Sequence, residues 1–138
     1  MFIQIIGIAI AGAVGTVMRY VLTYFSVLLF GVGFPVGTMA VNLIGAFLFG
    51  LVAGLIANGF IAAYWQTIIL TGLLGGFTTF SAFAYENQQL IANQKYLYFT
   101  INLFGQNILG IAAIILGLYL ANLITTHTIW ASLKIHFL

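Results

Sequence analysis

The chain has 138 residues, 64% of them hydrophobic and 3% charged, and its mean hydropathy is +1.23. A soluble domain carries about a quarter charged residues, so a water-facing surface is excluded and the chain reads as an integral membrane protein. It has no cysteine, which rules out disulfides, thiolate metal sites and cysteine nucleophiles; its net charge of +2, from Arg19, Lys95 and Lys134 against Glu86, is too sparse for a nucleic-acid surface.

A helix crossing the hydrocarbon core needs about 20 apolar residues, and the punctuation of the chain allows four. The first span is predicted from about Ile3 to Phe30. Its opening, MFIQIIGIAIAGAVG, has no basic region ahead of the apolar run, so it reads as a mature span and not as a cleaved leader. It ends at Gly31-Val32-Gly33-Phe34-Pro35, which holds the only proline. The second span runs from about Val36 to Ala57 and ends at Asn58-Gly59. The third runs from about Trp65 to Ala92 and ends at Asn93-Gln94-Lys95. The fourth runs from about Tyr96 to Leu123, leaving a short tail over 124–138 that contains His127 and His136, to which no role is assigned. Connections this short predict a single transmembrane domain.

Four spans place the N-terminus, second loop and C-terminus on one side. Lys134 on that side is balanced by Lys95 on the other, so the loop charge that normally orients a membrane protein is even. Such a chain is expected to insert both ways, and two opposed copies would pair about an axis in the membrane plane. The bland alternative is that the first helix sets one orientation. Small residues recur every four positions, Gly7, Ala11 and Gly15 on the first span and Thr38, Asn42, Ala46, Gly50 and Gly54 on the second. Such stripes let helix backbones approach closely in lipid and predict a tight bundle.

Polar residues at depth are costly and face a partner or water. At 1.5 Å per residue, Arg19 lies about 16 Å from the end of the first span, Asn42 about 9 Å from the start of the second, and Glu86 about 9 Å from the end of the third. All three ends abut the first and third loops, so these residues share one half of the bilayer. Either Arg19 and Glu86 form a structural ion pair, or the cluster walls a water-filled vestibule.

Gly75 to Thr79 fall near the middle of the third span. Each glycine there weakens a helix by about 1 kcal/mol relative to alanine, and irregular backbone at such depth survives only when buried or lining a cavity. Two readings stand. The breaks of two opposed copies meet and their freed carbonyls surround a small cation; or Gly75-Gly76 merely permits close packing while Thr78 and Thr79 bond back to their own helix. Phe80 and Phe83 share a helix face, and Thr79, Phe83 and Glu86 follow a neighbouring stripe. Aromatic residues at this spacing are more often packing than pore. Yet ring edges are electropositive, and with the Thr79 and Ser81 hydroxyls they would replace water around a small anion without trapping it.

The motifs GAVGTVMRY around Arg19, GTMAVNLIGAFLFG around Asn42 and GLLGGFTTFSAFAYE ending at Glu86 resemble the fluoride channel family known as Fluc or CrcB. The resemblance implies an all-α membrane fold with four transmembrane helices per subunit, the third broken near the midplane. It also implies an antiparallel, dual-topology dimer with two fluoride pathways and a central structural sodium ion. By motif, the carbonyls of Gly75 and Thr78 would hold the sodium, and Phe80 and Phe83 would present ring edges to fluoride. Asn42 would donate an amide proton, with Thr79 and Ser81 as nearby hydroxyls; Glu86 would be a vestibule carboxylate and Arg19 an entrance or anchor. The implied activity is passive fluoride export across the inner or plasma membrane, with lipid, fluoride and a second subunit as partners, a homodimer in preference to a heterodimer.

The fourth span departs from the family pattern: Ile111 to Leu116 carries no polar side chain. Either Asn102 or Gln106 lines the path instead, or a heterodimeric partner supplies the missing groups. A proton-coupled dual-topology multidrug transporter is the main rival, but it needs a membrane-embedded acid, typically on the first helix, where only Arg19 is charged. A non-transporting assembly subunit is a further possibility. An intramembrane enzyme is disfavoured, since no acid, base and nucleophile share a depth.

Overall fold

The computed structural model describes the backbone of residues 1–136 and side chains through Thr126. Among the described residues all regular structure is helical. α1 covers Phe2–Phe30 and α2 covers Val36–Ala57. A π-helical segment, Thr67–Leu74, follows and passes into the short α3, Gly75–Phe77; α4 covers Phe80–Ala92 and α5 covers Tyr96–His136. Four stretches are long and apolar enough to cross a membrane: Phe2–Phe30, Val36–Ala57, Thr67–Ala92 and Tyr96–Thr126. The chain is a multi-pass membrane protein.

The boundaries follow from turn chemistry. α1 stops at Gly31, whose φ of 73° suits a residue without Cβ, and its N–H caps the Val27 carbonyl. Pro35 sits immediately before α2, where its missing N–H costs nothing. α5, the fourth span, runs through the polar Thr125 and Thr126, where the sequence predicts a tail from residue 124. Both threonine hydroxyls bond back to main-chain carbonyls of the preceding turn, Thr125 to Ala121 at 3.0 Å and Thr126 to Asn122 at 2.8 Å, so their polarity is absorbed within the helix. Lys134, His127 and His136 have side chains outside the described residues.

Two close crossings hold the bundle. α2 lies against α5, where a Cβ on Gly117 would overlap the Phe47 carbonyl and one on Gly50 would overlap the Ile114 carbonyl. α1 lies against the π-helical segment and α3, with Gly15 facing Leu73 and Phe77 and Gly76 facing Gly12. The small-residue stripes therefore divide their work. The α1 stripe receives the third span. On α2, Gly50 and Gly54 receive α5, while Thr38 and Asn42 face the polar groups of the third span. Main-chain contact of this kind substitutes for the hydrophobic drive that lipid does not offer.

The third span is irregular over most of its first half. Gly75 N–H reaches the Leu70 carbonyl, five residues back, which is the wide π turn. Gly75 itself is helical, with φ −64° and ψ −35°. The extended residues come slightly later than the glycines: Thr78 has φ −79° and ψ 159°, and Thr79 has φ −150° and ψ 114°. β-Branched threonine accommodates this conformation readily, whereas Gly76 serves close packing on Gly12 of α1 and Gly75 ends the π turn, exposed.

Candidate functional site

The extended pair needs partners for its main chain, because apolar surroundings offer no water. Asn42, on α2, supplies them. Its Oδ1 accepts from Thr79 N–H at 2.8 Å, and its Nδ2 donates to the Thr79 carbonyl at 3.1 Å. One side-chain amide thus pairs with an extended residue as a neighbouring strand would. The second Nδ2 hydrogen goes to Gln106 Oε1 at 2.8 Å, so both amide hydrogens of Asn42 are engaged within the protein. Thr79 also begins α4: its hydroxyl accepts from Ala82 N–H at 3.3 Å and lies 3.3 Å from the Ser81 hydroxyl.

From Gln106 the bonding continues through amides alone. Gln106 Nε2 donates to Asn102 Oδ1 at 2.8 Å, Asn102 Nδ2 to Asn87 Oδ1 at 3.2 Å, and Asn87 Nδ2 to the Phe83 carbonyl at 2.9 Å. Asn102 is completely buried, and Gln106 and Asn87 nearly so. The two polar residues expected on the fourth span are therefore brought to Asn42. The sequence reading missed Asn87. Its signal was its place four residues after Phe83, with Asn102 and Gln106 four apart on the facing helix.

A cleft of about 430 Å³ opens beside this network. Its polar wall is Asn42, Thr78, Thr79, Gln106 and Asn107, and its aromatic wall is Phe80, Phe83 and Phe49; Ile111 and Ile114 complete it. The Phe80 and Phe83 ring centroids are 5.7 Å apart and the planes tilt by 45°. Phe83 is buried, whereas Phe80 is 79% exposed on the subunit surface. Ser81 touches Thr79 but does not line the cleft.

Glu86 belongs to a second cavity, about 290 Å³, near the first and third loops, together with Thr38, Thr23, Ser26, Gln89 and Lys95. The Thr38 hydroxyl donates to Glu86 Oε1, and Glu86 Oε2 is buried without a partner among the described residues. Thr38, one turn before Asn42, is the residue the sequence reading left out of this cluster. Among the described residues Glu86 makes no ion pair with Arg19, which is half-buried on α1 and lines neither cavity. Arg19 contributes its carbonyl, to the Thr23 hydroxyl at 2.9 Å.

For a cation, the described residues hold no group of three or more His, Asp or Glu side chains. The oxygens on offer are main-chain carbonyls. Because Thr79 N–H is turned to Asn42, the Gly75 carbonyl loses its usual helical donor, and Thr78 is extended beside it. Gly75 is exposed and Thr78 half-buried. Such hard oxygen donors fit an alkali or alkaline-earth ion and not a transition metal.

The stretch of chain that builds this cleft is similar to known proteins. A family model described as CrcB-like protein, camphor resistance, matches residues 6–118. The chain belongs to the CrcB-like family. It is 44% identical over 119 residues to a protein of Solidesulfovibrio magneticus named fluoride-specific ion channel FluC, covering 85% of this chain and 94% of the relative. Proteins of the same name from Nitrosococcus oceani, 42% identical over 118 residues, and Maridesulfovibrio salexigens, 40% over 120, are covered to 94% and 95% of their lengths, and cover 85% and 86% of this chain. For this CrcB-like chain, the matched region takes in both cavities and the whole amide network.

Proposed function

We propose that the protein is a passive, fluoride-selective channel, and that it lets fluoride leave the cytoplasm. The observation that carries this reading is the part-buried Asn42–Thr79 pairing beside the Phe80–Phe83 rings, in a chain whose relatives are named fluoride-specific ion channels. Phe80, Phe83, Asn42, Thr79 and Ser81 line or adjoin the path. Amide and hydroxyl hydrogens with electropositive ring edges replace the shell of a small anion without a fixed positive charge to hold it. Glu86 and Thr38 belong to the vestibule at one mouth. With the inside of the cell negative, the membrane potential drives an anion outward at about 2.3 kcal/mol per charge per 100 mV. That the relatives are named ion channels supports a channel in preference to an enzyme.

The working unit in this reading is an antiparallel pair of subunits with two pathways, in the cytoplasmic or inner membrane. The exposed Phe80 ring and exposed Gly75 support it, since both lie beside the buried polar groups and are left for a second copy to cover. Gly75 and Thr78 carbonyls from both copies would hold a structural sodium ion. A heterodimer is the second reading, favoured by one observation: Ile111 and Ile114 give the cleft an apolar wall where polar groups would be expected.

Purified protein reconstituted alone in liposomes loaded with fluoride or chloride tests the proposal. Fluoride release much faster than chloride release is the expected result. Equal release of both anions refutes selectivity, and release of neither refutes the homodimeric channel.

A further inference from the structure

The amide network has a direction. Thr79 N–H, at one end, can only donate, and the Phe83 carbonyl, at the other, can only accept. Every amide between them receives on its oxygen and gives from its nitrogen: Asn42 to Gln106, Gln106 to Asn102, Asn102 to Asn87. Both ends lie on the third span, so the relay leaves it, crosses α2 and α5, and returns one helical turn later. Reversing any one amide would set two N–H groups or two oxygens face to face, and a buried polar group left so is heavily penalised. The orientation of each amide is therefore dictated by main-chain groups and not by local choice.

This orientation decides what the cleft contains. Asn42 spends both of its hydrogens on Thr79 and Gln106. Gln106 spends one Nε2 hydrogen on Asn102, and its second has no acceptor among the described residues. Gln106 lines the cleft beside Phe80 and Phe83. We infer that, of the relay's amides, Gln106 is the one that donates to the anion, and that Asn87 is a positioning residue that holds the relay in the direction which keeps the Gln106 nitrogen available. The inference rests on the channel reading and assigns its hydrogen-bond donor. Asn87 is not itself a lining residue of the cleft; it bonds the main chain of Phe83 and reaches Gln106 through Asn102.

Threonine and valine at position 87 make the test, because they are nearly equal in shape and differ in one hydroxyl. Threonine in a helix donates to the carbonyl four residues back, which here is that of Phe83, while its oxygen accepts from Asn102; the relay keeps its direction. Valine ends it. Fluoride and chloride release from liposomes is measured for the wild type, Asn87→Thr and Asn87→Val, with dimer content checked by crosslinking. The expected result is a threonine variant close to wild type and a valine variant with fluoride release lowered about tenfold, the scale of one hydrogen bond to a charged group, and with a reduced fluoride-to-chloride ratio. A relay that serves packing alone would change dimer yield and leave the ratio as it was. Equal release by the two variants overturns the inference while the channel reading stands; a wild type that passes no fluoride removes both. Should the valine variant fail to assemble, side-chain ¹⁵N resonances of the wild type decide. A fluoride-dependent shift at Gln106 Nε2 that chloride does not produce supports the assignment, and its absence refutes it.

Discussion

Asn42→Ala removes the single side chain that satisfies the extended turn of the third span, and its cost can be worked from the bonds it makes. Three are lost: Thr79 N–H at 2.8 Å, the Thr79 carbonyl at 3.1 Å and Gln106 Oε1 at 2.8 Å. Side-chain hydrogen bonds within membrane proteins average about 0.6 kcal/mol by double-mutant cycles, which sets a floor of about 2 kcal/mol. Thr79 and Gln106 are buried, so groups orphaned there cost about 1–3 kcal/mol each where water does not reach them. A loss of about 3 kcal/mol is therefore expected, together with loss of fluoride selectivity, since Thr79 and Phe80 move when their anchor goes. Thermal unfolding of the detergent-solubilised protein and liposome flux measure the two effects. Gln106→Ala and the double variant complete a cycle, in which the Asn42–Gln106 coupling should reach about 0.5 kcal/mol or more. An Asn42→Ala protein of unchanged stability and selectivity would refute the reasoning, because it would mean that the extended pair is held by something else.

The two phenylalanines should separate by burial. Phe80→Ile, at an exposed ring, is expected to leave subunit stability within about 0.5 kcal/mol while slowing fluoride release; Phe83→Ile, in the buried ring, should also lower the unfolding midpoint. Glu86→Gln should retain most of the flux, since Thr38 can still donate to the remaining carbonyl oxygen; abolished transport would instead indicate proton coupling. Gly117→Ala should destabilise the fold by forcing α5 from the Phe47 carbonyl, whereas Gly105→Ala, on the same helix and near only the flexible end of Met39, should be tolerated; thermal unfolding distinguishes them. Replacing sodium by N-methylglucamine during purification should reduce dimer recovery if the Gly75 and Thr78 carbonyls hold that ion, with crosslinking yield as the measure.

Four long apolar helices were legible because hydrophobic length and glycine, proline and asparagine punctuation are strong local signals. The course of the third span was not. Gly75-Gly76 attracted attention as weak helix formers, yet both are helical, and the extended residues are the β-branched Thr78 and Thr79, whose conformation depends on an amide on another helix. Local propensity cannot reveal a partner 37 positions away. For the same reason depth alone left an Arg19–Glu86 ion pair open beside a vestibule, whereas Glu86 is served by Thr38. The gathering of Asn42, Phe80, Phe83 and Thr79 about one cleft was anticipated by motif resemblance; the course of the amides through Asn87 required coordinates.

The glycine-to-carbonyl crossing of α2 and α5 limits how the protein can move. With main chain resting on main chain at Gly50 and Gly117, neither helix has room to slide or tilt without breaking several contacts at once. Motion along this crossing is then confined to the rotation of exposed side chains on a stationary frame, a matter of picoseconds to nanoseconds. On the channel reading, ions would pass with no swing of α2 against α5 between them.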